Sequence, residues 1–197
     1  MLANLPAAAP LPPSQAVAGR TLHAQVLLVG IAVALLTLSA KIQIAWWPVP
    51  MTLQTYVVLV IGMTYGTRLG LAAIVSYVVA GALGLPVFAG TPEKGVGLAY
   101  IAGPTGGYLA GFIASVVVCG KLADKGWTSR FWPRIATLVL GHATIFVFGI
   151  VWLGNFVGAE RAVALGFVPF IGATIAKTLL AVVTVPAARR LVARSGG

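Results

Sequence analysis

The stretch that decides the fold runs from Met51 to Leu85, MTLQTYVVLVIGMTYGTRLGLAAIVSYVVAGALGL, and its only charged side chain is Arg68. A helix that spans a bilayer needs ~20 apolar residues, fewer where neighbours shelter it or lipid thins. With the turn Gly66-Thr67-Arg68 near its middle, the run predicts two short helices, about Met51 to Tyr65 and Leu69 to Leu85, joined by a tight hairpin. Working outward, a helix is predicted before it over about Leu22 to Ile44. After it comes a polar, Gly-rich loop from Pro86 to Ala102 with Glu93 and Lys94, then three more helices. These start at Gly103-Pro104-Thr105 and end near Leu122, run from Ile135 to Val157, and run from Val168 to Ala188. Pro104 suits a first turn, where its missing N–H has no partner to lose.

Composition says the same. Only 8% of the residues are charged and 59% are hydrophobic, with a mean hydropathy of +1.01, whereas a soluble domain carries roughly 25% charged residues. The expected fold is therefore all-α, a polytopic membrane protein with six transmembrane helices. A single cysteine, Cys119, excludes a disulfide framework and a thiolate metal cluster. The net charge of +10 is spread singly between apolar segments, which is not the basic groove or arm that nucleic acid requires.

Six spans place both termini on one side. That side collects Arg20, Arg68, Lys121, Lys125, Arg130, Arg134, Arg189, Arg190 and Arg194, against Lys41, Lys94 and Arg161 on the other. The positive-inside bias makes the first side, and both termini, cytoplasmic, in a multi-pass protein of the cytoplasmic membrane. Trp46 and Trp47 then lie at the outer interface and Trp127 and Trp132 at the inner one. The Pro-rich stretch Met1 to Gly19 has no charge and lacks the basic start of a secretory signal. The expected domains are a flexible cytoplasmic N-terminal tail, 1–21, a six-helix membrane domain, 22–191, and a short C-terminal tail, 192–197.

Small residues predict close packing: Gly103, Gly107, Gly111 and Ser115 recur every four residues, as do Gly62, Gly66 and Gly70. Reactive groups are few. There is no phosphate-cradling GxxxxGK[ST] loop and no HExxH pattern, and His23 and His142 stand far apart, so the reading is of a non-enzyme without cofactor or metal. His142 reads as a hydrogen-bonded structural residue, with ligand contact as the alternative.

Lys177 carries more. In a helix from Val168 it lies ~13 Å below the outer boundary, near the middle of a ~30 Å hydrocarbon core, where a cation costs at least ~2.5–3.5 kcal/mol. The chain's three acids, Glu93, Asp124 and Glu160, all fall in predicted loops. The lysine is then neutral when empty, faces a wet cavity, or takes its counter-ion from a ligand. Thr174, three positions earlier, shares its helical face. On the outer side Trp46-Trp47-Pro48-Val49-Pro50 leads into Met51-Thr52-Leu53-Gln54-Thr55. Thr52 reads as a helix cap, while Gln54 either caps the helix or lines a cavity.

Three strings are more specific than any periodicity. Val49-Pro50-Met51-Thr52-Leu53-Gln54-Thr55, Gly81-Ala82-Leu83-Gly84-Leu85-Pro86-Val87-Phe88-Ala89-Gly90, and Gly103-Pro104-Thr105-Gly106-Gly107-Tyr108-Leu109-Ala110-Gly111-Phe112 resemble the BioY family, the biotin-binding S components of energy-coupling factor (ECF) transporters. The resemblance covers most of the chain from about Val26 to Leu191. It implies a biotin pocket opening outward, and a partner module of a transmembrane coupling protein and ATPase subunits. The family's sixth helix resembles Pro-Gly-Asp-x-x-Lys, whose acid and lysine belong to the ligand site; here Lys177 is kept and Thr174 replaces the acid.

Biotin offers a carboxylate, a ureido ring and an apolar thioether ring with a valeryl chain. The expected contacts are Lys177, Thr174 and Gln54 as polar partners and Phe88 as apolar wall, with Gly90 in a lid. Tyr108 is read either as wall or as an interfacial anchor. An S component for riboflavin or thiamine is the alternative with the same composition. The sequence leaves open whether the protein works alone, as a homo-oligomer, or only with the ATPases.

Overall fold

A computed structural model of the chain describes residues 12–194. Eight α-helices follow in order: α1 (Pro13–Ala18), α2 (Leu22–Lys41), α3 (Gln54–Ala82), α4 (Gly97–Ala102), α5 (Gly106–Asp124), α6 (Phe131–Val157), α7 (Ala159–Gly166) and α8 (Ile171–Arg194). Two-residue strands β1 (Gln43–Ile44) and β2 (Met51–Thr52) pair antiparallel and tie off the loop between α2 and α3. Five segments among the described residues are long and apolar enough to cross a membrane: α2, α3, α5, α6, and the run from Ala159 through α7 and α8 to Ala193. In lipid, a helix satisfies every backbone polar group within its own segment, which is why these apolar runs are helical.

α3 is not one rod. Gly66 breaks it with φ 73° and ψ −175°, a region open essentially to glycine alone. The chain folds back there. A Cβ on Gly70 would lie 3.6 Å from the Cα of Gly62, and the Gln54 and Tyr77 side chains meet at 2.6 Å, although 23 residues of straight helix span ~34 Å. The arms, 54–65 and 67–82, are the hairpin expected from Gly66-Thr67-Arg68.

Asp124, at the end of α5, fastens this turn. Its Oδ1 accepts from the Ser14 backbone N–H at 3.0 Å, and its Oδ2 from the Thr67 N–H at 3.3 Å and the Thr67 hydroxyl at 3.1 Å. One carboxylate thus joins α1, the α3 turn and α5. Asp124→Ala is expected to lower stability by about 1–3 kcal/mol, because charge-assisted bonds are lost and three donors are left open. Thermal unfolding in detergent, with limited proteolysis around residues 12–20, checks this.

The expected tail 1–21 falls partly outside the described residues, 1–11 and 195–197 having no described placement. Within them, Pro13–Ala18 are helical and pack against α3, α5 and α8, with Val17 buried. The Arg20 guanidinium donates to the Val192 carbonyl of α8, so the two chain ends described lie at one end of the bundle. α4 and α7 form where the sequence read as loop. α7 follows Gly158 at φ 85° and has Glu160 in its first turn, where a carboxylate suits the helix dipole. α6 starts at Phe131 rather than Ile135 because Pro133 falls in its first turn, where a missing N–H costs nothing.

α5 is the centre of the bundle. Its small-residue row faces α6: a Cβ on Gly111 would lie 2.9 Å from Ile145 Cα, and one on Gly107 2.6 Å from the Phe148 carbonyl. Ser115 donates to the Gly141 carbonyl of α6 at 3.0 Å. A Cβ on Gly62 of α3 would lie 3.1 and 3.2 Å from the Cys119 and Val116 side chains of α5. α8 carries Pro186 in its interior, which has no N–H for the Val182 carbonyl one turn earlier. Arg134 of α6 fills the gap, its Nη1 donating to Val182 O at 3.0 Å while its Nε donates to Thr128 O at 2.9 Å. Arg189 donates to the Thr128 and Ser129 hydroxyls at 2.6 and 3.1 Å.

Candidate functional site

A cavity of about 450 Å³, open mouth included, is lined by Val49, Pro50, Thr52, Gln54, Thr55, Ala89, Thr105, Tyr108, Phe112, Phe146, Phe170 and Lys177. Its roof is the loop tied off by β1 and β2, whose Val49 is buried while Trp47 points outward at 71% exposure. Its floor and walls come from the start of α3, the first turns of α5, the middle of α6 and the first two turns of α8. The aromatic wall is held from behind. Tyr108 donates its hydroxyl to the Gly166 carbonyl at 2.8 Å and stands on Gly149, where any Cβ would strike its ring. Phe146 meets Tyr108, Phe167 and Phe170 edge to face, at 6.5, 5.0 and 6.1 Å between centroids. Each such pair adds about 0.5–1.5 kcal/mol beyond area burial.

Lys177 is buried, and its ammonium donates to the Thr55 hydroxyl at 3.0 Å. An ammonium has three hydrogens to give, and a neutral hydroxyl supplies no charge. The lysine at the end of α2 differs. Lys41 donates to the Phe88 carbonyl, the Thr91 carbonyl and the Thr91 hydroxyl at 3.0, 3.0 and 3.1 Å. Lys41 is a saturated fastener of the loop over the cavity; Lys177 retains donors on the cavity wall.

Of the residues singled out from the sequence, the structure brings Lys177, Gln54 and Tyr108 together on one cavity. Thr52, expected as the cap, lies one residue before the N-cap Leu53, and its hydroxyl accepts from the Gln54 N–H at 3.3 Å. Phe88 is not in the lining: it stacks on Tyr100 at 4.8 Å and meets Tyr77 edge-on at 5.4 Å, in a notch that only Gly81 leaves open. Its neighbour Ala89 takes the wall position. Gly90, at φ 69°, turns the loop beneath the Lys94 side chain, outside the lining. Thr174 is half-buried and also outside it, its carbonyl accepting from Thr178 at 2.8 Å. His142 is buried, with Nδ1 3.1 Å from the Leu138 carbonyl. Among the described residues no group of His, Cys, Asp or Glu is arranged to hold a metal.

Sequence reasoning did not single out Thr55, Thr105, Phe112, Phe146 or Phe170. Part of the signal was present, since Thr105, Tyr108 and Phe112 recur at three and four positions on one face of α5, and Phe170 stands seven before Lys177.

Comparison with known proteins agrees with this architecture. The BioY family model matches residues 13–194. A Pyrococcus horikoshii protein named "Probable biotin transporter BioY" is 39% identical over 81% of this chain and 92% of its own length. The Thermotoga maritima "Biotin transporter BioY" is 39% identical over 80% of this chain and 90% of its own. The fold is shared with a solved S-component for biotin from an ECF-type ABC transporter, with a TM-score of 0.73 at 24% identity, over 89% of this chain and 93% of that one. A family match over nearly all of the described chain, on a bundle with the same fold, makes this chain a member of the BioY family.

Proposed function

We propose that this protein binds biotin from the outer side and serves its uptake as the substrate-specific component of an ECF-type transporter. The observation that carries the reading is the cavity itself: a buried ammonium with donors to spare, set among aromatic and hydroxyl side chains. Such a wall suits a ligand with an apolar bicycle and chain and oxygens at its ends. In this reading Lys177 donates to a biotin oxygen, Gln54 hydrogen-bonds the ligand, Tyr108 flanks the ring system, and Thr174, Phe88 and Gly90 support the site from one residue further out. The loop gripped by Lys41 is the lid.

The reading extends to topology. Each α3 arm crosses the membrane, giving six crossings, and the basic end of the bundle with both termini faces the cytoplasm. The partner is a transmembrane coupling protein with its ATPase subunits. Their docking face is the outer side of α2, where Val26, Leu27 and Leu38 stand 62%, 65% and 63% exposed beside Gly30 and Ala34. Replacing Ala34 with Trp is expected to reduce cellular biotin uptake at least tenfold with biotin affinity unchanged, and uptake at the wild-type rate removes this face from coupling.

Calorimetry on the purified protein tests the assignment. Biotin is expected to bind and raise the melting temperature, whereas riboflavin and thiamine leave it unmoved. Binding of either of those vitamins with no response to biotin refutes it.

A further inference from the structure

One hydrogen-bonded string leads from the cavity wall to the outer loop. Gln54 Nε2 donates to the Tyr77 hydroxyl at 2.6 Å, and the Tyr77 hydroxyl donates to the Val87 carbonyl at 3.0 Å. Gln54 is 4% exposed and Tyr77 wholly buried. Valence sets the directions. A backbone carbonyl only accepts, so the single phenolic hydrogen goes to Val87. Tyr77 then turns a lone pair to Gln54, and only the NH₂ half of that amide can meet a lone pair. The amide oxygen is left on the other side, where it accepts from the Thr52 hydroxyl at 3.4 Å and keeps a second lone pair. Gln54 and Thr52 both line the cavity and Tyr77 does not.

The wall therefore presents a fixed acceptor at Gln54, next in sequence to the Thr55 that holds the Lys177 donor. We propose that Tyr77 is a positioning residue that sets ligand specificity: by locking the Gln54 carbonyl oxygen toward the cavity, it makes the site demand an N–H donor from its ligand. This rests on the biotin reading, in which the donor is a ureido N–H. A freely rotating amide accepts or donates with equal ease. Held as it is, it turns away a carboxylate or any other group that brings only lone pairs, because such a group is repelled by the lone pair that Thr52 leaves open. The string ends at Val87, two residues before the cavity-lining Ala89, so the amide's orientation and the loop's position form one unit.

The test is a double-mutant cycle on the full-length protein, read by calorimetry with biotin and with biotin methylated at one or the other ureido nitrogen. Tyr77→Phe and Gln54→Ala are each expected to weaken biotin binding about tenfold. The double variant is expected to bind no more weakly than Gln54→Ala alone, because Tyr77 acts through the amide. Losses that multiply in the double variant overturn the proposal, since a purely structural role of the phenol would give that result. The ligand arm does not depend on how Tyr77→Phe folds. Methylation at one nitrogen is expected to cost the wild type about tenfold or more and Gln54→Ala less than about twofold, and equal penalties in both proteins overturn the proposal. A wild type that ignores biotin refutes the function and this inference together, whereas biotin binding without the coupling refutes the inference alone.

Discussion

Lys177→Ala is expected to give a folded protein that binds biotin at least about 30-fold more weakly, since truncating one partner of a buried charged hydrogen bond costs about 2–5 kcal/mol. Elsewhere a buried lysine lost from its partner would destabilise the protein, but here the partner is the Thr55 hydroxyl alone. None of the three acids serves it: Asp124 is engaged by Ser14 and Thr67, Glu160 opens α7, and Glu93 is exposed in the loop between α3 and α4. Removing an uncompensated ammonium from a low-dielectric wall relieves a cost in the empty protein, so its melting temperature should hold or rise. Titration with biotin, beside melting curves with and without it, separates the two effects. Near-normal affinity in the variant removes Lys177 from the site.

The second large effect is structural. Gly66→Ala should lower stability by about 2–6 kcal/mol, adding the strain of its backbone region to the overlap of a new methyl. That methyl would lie 2.7 Å from Asp124 Oδ1 and 2.8 Å from the Ser14 nitrogen, the two groups that close the turn. Gly84→Ala is the control: it also has a positive φ, 95°, but nothing lies within 4 Å of an added Cβ. A fall in melting temperature in the Gly66 variant at least twice that of the Gly84 variant is the expected result. Equal shifts would mean that packing around the turn contributes nothing.

What the sequence disclosed followed from distance along the chain. The α3 hairpin was legible because Gly66 and Arg68 interrupt an apolar run within three residues, and Lys177 because one charge in an apolar helix stands out without any partner being known. Thr174 shows the limit of such local reasoning. Positions three apart on a helix differ by about 60° in direction, and here that places Lys177 on the cavity and leaves Thr174 at its flank. Phe88 lies outside the cavity lining for another reason. Its ring is claimed by Gly81, Tyr77 and Tyr100, contacts that exist only after the loop between α3 and α4 has folded back. The Gln54–Tyr77 pair was hidden likewise, since residues 23 apart meet only because the chain reverses at Gly66.

The guanidinium of Arg134 has an implication for engineering. Basic side chains at one end of a membrane bundle are usually regarded as orientation signals, exchangeable so long as their number is kept. Here that cation also replaces the helix donor that Pro186 lacks. A chain rewritten to insert upside down, by moving positive charge to the opposite rim, would give up the group that mends its own last helix, so insertion direction and tertiary assembly cannot be redesigned separately.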